Sequence, residues 1–272
     1  MVKQLNIFLL YKFIIIIYMN NLQNILDDLH KLGCTGIKVS FEDEGALLNE
    51  ITTMRFLTSS LNMDLSVKIG GCEAKRDIVD CIHVNCDTIV APMIESNFAL
   101  IKFLQSLKTY NYNKKKGFNF ETINAYTNLD TISTIFEKLD FITFGRVDFI
   151  NSLNKNRDYV DSDEIYDMVY NVFKKAKEYN IECYLGGAIS ISSKNFIKKL
   201  IDDKLLDKFE TRYIIYDVSK IDFNQFEKLI YYGNLFEVEW LKFIKDRYML
   251  LATKDCNRIK MIEDRLNNNK II

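Results

Sequence analysis

The sequence predicts an α/β protein built as a closed (β/α)8 TIM barrel, and three observations carry that reading. Short apolar strand patterns recur between amphipathic helical lengths, which implies parallel crossover units. Polar and acidic residues collect just after several of the strand patterns, where a barrel builds its active site. At 272 residues the chain lies in the range in which an α/β barrel stays one domain with a large core. An open doubly wound sheet is the second architecture compatible with this order.

The elements follow in order. Residues 7–19 form an apolar run containing Phe13-Ile14-Ile15-Ile16-Ile17, interrupted by Lys12. It is too short for a confident membrane span and has no small-residue cleavage site, so the β-branched run is expected as a buried first strand, with a loosely packed upstream extension as the alternative. Leu22, Ile25, Leu26 and Leu29 share one face of a helix that ends near Gly33. Strand patterns then fall at 36–41, 65–69, 88–93, 118–120, 141–144, 182–185 and 211–216, with helical lengths at 46–57, 98–107 and 164–179. These seven strands and the N-terminal run would make eight. From Phe223 a helical region is expected, with Trp240 and Phe243 on one apolar face. The division that follows is an N-terminal apolar segment at 1–20, a barrel at 21–222 and a helical extension at 223–272.

Composition narrows the function classes. Apolar residues make up 48% of the chain and charged residues 27%, which suits a folded protein rather than a disordered one. The 36 basic and 37 acidic side chains nearly cancel, so no global field favours nucleic acid or an anionic membrane. Lys114-Lys115-Lys116 has no interleaved aromatics and reads as a solvated loop. Only His30 and His83 are present, both in helical patterns away from the acidic strand ends, which argues against a His-rich zinc site or a histidine triad. The six cysteines form no CxxC pair and suit buried positions in a reducing compartment, so a cytoplasmic protein without stable membrane insertion is expected.

The chemistry-bearing residues stand at the strand ends. Phe118-Asn119-Phe120-Glu121 and Phe144-Gly145-Arg146-Val147-Asp148 each carry an acid just past a buried strand. Two carboxylates at one mouth suit Mg²⁺, which takes few protein oxygens and completes its shell with substrate and water. Glu42-Asp43-Glu44 follows the first confident strand, either facing the same mouth or favouring the start of the next helix. Lys68, within Val67-Lys68-Ile69-Gly70-Gly71, would be costly if buried alone, so a carboxylate or a substrate anion must answer it. Gly70-Gly71 and Gly186-Gly187 admit close approach of a ligand, or are plain turns. In Pro92-Met93-Ile94-Glu95-Ser96, Glu95 is a site candidate and Ser96 a helix N-cap. Arg146 has the planar fork to clamp a carboxylate, or pairs with a neighbouring acid. Glu210-Thr211-Arg212 precedes its strand and is expected at the opposite rim with a structural role.

Together the segments 36–45, 67–77, 91–96, 119–121, 144–148 and 186–187 resemble the HpcH/HpaI aldolase and citrate lyase β-subunit family over residues 21–217. The resemblance implies a pyruvate/phosphoenolpyruvate-type barrel that handles pyruvate, oxaloacetate or acyl-CoA enolates with Mg²⁺ or Mn²⁺. By the same resemblance Glu121 and Asp148 are the metal ligands, and Lys68 stands where the family has a carboxylate-binding arginine. The candidate catalytic residues are Glu44, Lys68 and Arg146, and the candidate substrate set is Lys68, Gly70, Gly71, Glu95, Asn119, Arg146 and Gly186. The histidine of the aldolase branch is absent after the early strand, which leaves Glu44 or water to move protons. The implied activity is a metal-dependent carbon-carbon lyase acting on a 2-oxo acid or related carboxylate. A citrate-lyase-like acyl-CoA lyase and a non-catalytic ligand-binding or scaffold barrel are the alternatives. A homo-oligomer is also expected, with Ile14 to Ile17 or the helix around Trp240 between subunits.

Overall fold

The structure, a computed structural model, describes the backbone of residues 2–268 and the side chains from Ile16 onward. Helix α1 (Val2–Lys31) leads into β1 (Cys34–Ser40), α2 (Leu48–Ser59), β2 (Asp64–Lys68), α3 (Lys75–His83), β3 (Thr88–Ala91) and α4 (Asn97–Thr109). The chain continues through β4 (Lys115–Phe120), two short helices α5 (Ile123–Thr127) and α6 (Leu129–Ser133), β5 (Phe141–Gly145), α7 (Arg146–Ser152) and α8 (Asp163–Lys177). It closes with β6 (Glu182–Gly186), α9 (Lys194–Asp202), β7 (Lys208–Glu210), β8 (Ile214–Asp217) and α10 (Phe226–Asn268). The strands form a closed barrel in sequence order, β1 to β8, with helices around it. This is the (β/α)8 architecture that the sequence predicts.

Three features differ from expectation. The N-terminal apolar run is helical, so the segment 1–20 contributes no strand. The eighth strand comes instead from β7, a three-residue element missed in the sequence. Finally, the barrel is not parallel throughout: β1 to β7 pair in parallel, whereas β8 is antiparallel to both β7 and β1. The cause is the connection. Only Thr211, Arg212 and Tyr213 separate β7 from β8, far too few for a crossover. The chain therefore reverses at the mouth where β1 to β7 end.

Contacts divide the chain into two compact units, Leu26–Asn234 and Met1–Ile25 with Leu235–Ile272. In the second unit Tyr18 packs its ring 5.9 Å from that of Phe243 and donates its hydroxyl hydrogen bond to Asp246 at 2.6 Å. Trp240 and Phe243 are both buried with ring centroids 5.6 Å apart, the shared face read from their spacing.

In the barrel unit the strand alternation sorts side chains into two sets. Phe120 and Phe144 stack on each other, and Phe144 meets Phe149 and Phe173 on the covering helices. Val90, Phe141 and Tyr184 cluster together in the core, and the backbone of Gly117 lies so near the Phe141 ring that an added Cβ would meet it at 2.6 Å. Below that layer, Lys115 and Tyr184 both bind Glu182, which closes the end opposite the mouth. The same alternation that packs Phe118 and Phe120 outward aims Asn119 inward, toward the end where function sits.

Candidate active site at the barrel mouth

Strands β1, β2, β4 and β7 carry polar groups to the mouth, and the segments that follow the strands add others. Lys38 of β1 pairs with Glu210 at the end of β7. Lys68, the last residue of β2, is buried to 2% exposure and places its ammonium 2.7 Å from Glu42 and 2.5 Å from Asp43. The loop carrying those acids is fastened by Ser40, whose Oγ accepts from the backbone N–H groups of Glu42 and Asp43. Burial alone would lower the lysine's pKa. The charges of Glu121, Asp43 and Glu42 outweigh it and hold the ammonium above its ordinary range. Lys68 thus stays cationic.

Glu121 follows β4 and is 2% exposed. Its Oε1 accepts from the Met93 backbone N–H at 2.9 Å and its Oε2 from Asn119 Nδ2 at 2.9 Å. Met93 can present that N–H because its backbone lies in the left-handed region at φ 51°, a conformation unusual for methionine and common at functional sites. Gly145 is required for a different reason. A Cβ there would lie 2.8 Å from Glu121 Oε2, so only glycine leaves the carboxylate its place. Asp148, in the first turn of α7, is half-buried and makes no hydrogen bond or ion pair among the described residues. Burial raises the pKa of both acids; Lys68 opposes this at each, while Asp148 raises Glu121 further. Two carboxylates lie in one field, relieved only in part by one ammonium.

Glu44 belongs to the same mouth. Arg212, from the β7–β8 turn, donates Nε to Glu44 Oε1 at 2.7 Å, while Glu44 Oε2 is buried without a hydrogen-bond partner. Burial raises the Glu44 pKa despite Arg212 and Lys38, which favours a carboxyl able to hold and release a proton. Arg212 and Glu210 therefore stand at the functional mouth, not at the opposite rim. The reversal at Thr211 to Tyr213, unmarked by glycine, asparagine or proline, is what moves them.

The remaining candidates are distributed differently. Arg146 is completely buried: its guanidinium binds Asp161, the carbonyls of Gly186, Gly187 and Val160, and Ser193 Oγ. All its observed partners are protein groups, so it ties β5 to the β6 end rather than facing a ligand. Gly186 does double work there, since a Cβ would also meet Glu210 Oε1 at 2.9 Å. Gly70 donates its N–H to Asp77 at 2.7 Å, and an added Cβ at Gly71 meets nothing within 4 Å, which leaves open space beside it. Glu95 follows β3, and its backbone carbonyl accepts from Asn128. Ser96 is the N-cap of α4, accepting from Ala99 N–H.

Among the described residues no group of three or more His, Cys, Asp or Glu side chains forms a metal centre. Glu121 and Asp148 alone suit a hard ion that keeps water and substrate oxygens, because each accepts charge that burial leaves poorly neutralised. Two carboxylates are too few donors for a closed structural zinc site.

The arrangement defines a (β/α)8 barrel with an acidic, lysine-centred mouth at the C-terminal ends of β1 to β7. No family model matches the chain. No curated protein matches it either. Among solved structures it is similar to an HpcH/HpaI aldolase from Desulfitobacterium hafniense DCB-2, with TM-score 0.51 and 12% identity over 60% of this chain and 72% of the other. An HpcH/HpaI aldolase/citrate lyase family protein from Burkholderia cenocepacia J2315 matches with TM-score 0.55 and 10% identity over 79% and 84%. The citrate synthase SbnG matches with TM-score 0.52 and 12% identity over 76% and 92%. At these identities the likeness is one of fold.

Proposed function

We propose that this chain is a divalent-metal-dependent carbon-carbon lyase, aldolase-like, acting on a 2-oxo acid or related small carboxylate. The observation that carries the reading is the convergence of one buried ammonium, Lys68, with the burial-strained carboxylates Glu121 and Asp148 at one mouth. Structural likeness to HpcH/HpaI aldolases supports the reaction class. Glu121 and Asp148 would hold Mg²⁺ or Mn²⁺, which when bound supplies Lewis-acid stabilisation of developing enolate charge. Asn119 and the Met93 N–H orient Glu121 for that task.

Lys68 receives the substrate carboxylate. Glu42 and Asp43 occupy its donors here, and both are partly exposed on the loop after β1, so an incoming carboxylate exchanges with them at the ammonium. Gly71, three residues beyond Lys68, has open space beside it. As the carbon-carbon bond of a hydroxylated 2-oxo acid breaks, the hydroxyl proton passes to a base, and Glu44 supplies it through its unpartnered Oε2. Arg212 positions Glu44 through its other oxygen. In the same proposal the protein is a cytoplasmic homo-oligomer; no helix among the described residues is long and apolar enough to cross a membrane.

The test is a divalent-ion titration with substrate affinity and cleavage rate, on variants shown to be folded. Asp148→Asn and Glu121→Gln keep shape while removing an anionic ligand, and should weaken ion binding more than folding. Lys68→Met should chiefly weaken substrate binding. Unchanged ion affinity and turnover in Asp148→Asn would rule out its role. A second reading, a non-catalytic binding barrel, draws support from Glu42 and Asp43 already filling the Lys68 site. Turnover with any 2-oxo acid eliminates it.

A further inference from the structure

The β7–β8 reversal sets Arg212 at the mouth with most of its guanidinium unengaged. Two other arginines of the barrel show the contrast. Arg55 commits all three guanidinium nitrogens, to Ser59, to Asp87 with the Asn85 carbonyl, and to the Met63 carbonyl. Arg146, fully buried, likewise commits all three. Arg212 commits one. Its Nε lies 2.7 Å from Glu44 Oε1, its side chain is 46% exposed, and Nη1 and Nη2 make no hydrogen bond or ion pair among the described residues. The backbone beneath it is fastened. The Thr211 N–H donates to the Ile214 carbonyl at 3.0 Å, the Ile214 N–H to Thr211 Oγ1 at 3.3 Å, and the Lys38 N–H to the Tyr213 carbonyl at 2.7 Å. Thr211 and Tyr213 are buried, so Arg212 alone of the three turn residues is exposed. A guanidinium held by its inner nitrogen on a fixed turn offers its outer pair as a preorganised fork.

The surroundings narrow what the fork takes. Two parallel N–H donors match one edge of a carboxylate or a phosphate. The charges of Arg212 and Lys68 act on the same acids, Asp43, Glu44 and Asp148, so the two cations share one mouth. Carboxylates outnumber the cations Lys38, Lys68 and Arg212 there, which favours a singly charged group over a doubly charged phosphate. We propose that Arg212 is a specificity-determining residue that binds a second carboxylate, at the far end of the substrate, and that the substrates are 2-oxo dicarboxylic acids. This rests on the function proposed above, in which Lys68 receives the carboxylate beside the 2-oxo group.

Equilibrium binding followed by calorimetry with Mg²⁺ present tests it without requiring turnover. 2-Oxoglutarate and 2-oxoadipate are compared with 2-oxopentanoate and 2-oxohexanoate, which match them in chain length and end in a methyl group. At one or both lengths the wild type should bind the dicarboxylate about tenfold more tightly than its counterpart, or better. Arg212→Met should remove that preference through loss of dicarboxylate affinity, whereas Lys68→Met should weaken both classes alike and keep the ratio. Arg212→Lys keeps the charge and loses the fork, so it should retain only part of the preference, and it carries the test if Arg212→Met does not fold. Equal affinity for the two classes at both lengths, or a preference that survives Arg212→Met, would overturn the role of Arg212 and leave the enolate reading standing. A wild type that binds none of the four would overturn both. Tighter binding of 2-oxo-4-phosphonobutanoate than of 2-oxoglutarate would overturn the choice of carboxylate over phosphate.

Discussion

At the residue scale, the candidate site depends on groups that carry no charge. Gly145 is the clearest case: its missing Cβ is the space Glu121 occupies. Gly145→Ala should push Glu121 off its hydrogen bonds to Met93 and Asn119. Divalent-ion affinity is then expected to fall about 10- to 100-fold, as when other groups that orient metal ligands are lost. Folding should suffer as well, because the added Cβ would also lie 2.9 Å from Glu121 Cβ, which cannot move without its backbone. Mn²⁺ titration beside a thermal melt checks this, and unchanged affinity with Glu121 intact would contradict it. The acids Glu121, Asp148 and Glu44 drew notice in the sequence because they stand just past apolar strands, and Lys68 because it ends one. Met93 and Arg212 were not legible. A methionine gives no signal for a left-handed backbone, and Arg212 reaches the mouth only because the chain reverses there.

At the element scale, Arg146 shows how a residue typed for ligand binding becomes a fastener. Its position between Gly145 and Asp148 is that of a clamp for a carboxylate, yet Asp161 and three carbonyls consume the fork. Removing one partner from a buried charge pair leaves the rest unanswered, so Arg146→Met should cost about 3–5 kcal/mol of stability. Denaturant unfolding checks this, and a loss under about 1 kcal/mol would return Arg146 to the ligand-binding set. At the other end of the barrel, burial alone would raise the Glu182 pKa, but Lys115, Tyr184 and Lys208 hold it below the usual carboxylate range. Its stabilisation is therefore present above the unfolded value of about 4.3 and lost as pH falls through the lower folded value. Glu182→Gln should flatten that acid-side loss, measured by melting at stepped pH, without touching the mouth. The strand pattern itself was readable because apolar runs alternate with 3.6-period helices. The N-terminal isoleucines misled because β-branched content favours a strand, while nothing between residues 7 and 31 breaks the helix. Strand β7 escaped because it is short and joins β8 without turn residues.

At the scale of the whole molecule, the barrel brings groups from widely separated segments to one mouth. Lys68, Glu121, Asp148 and Arg212 lie on or just after β2, β4, β5 and β7, and none is a neighbour of another in sequence. Composition showed no net charge to draw a nucleic acid but could not show which loop acids answer Lys68, because that depends on the turn fastened by Ser40. The central claim is that these groups generate an enolate from a 2-oxo acid. Proton exchange at the methyl group of pyruvate in D2O, followed by NMR, measures that step without requiring the natural substrate. Exchange should depend on added Mg²⁺ or Mn²⁺, disappear in folded Asp148→Asn, and require a much higher pyruvate concentration in Lys68→Met. Exchange that is absent in the wild type with either ion, or that persists at the wild-type rate in Asp148→Asn, would contradict the account.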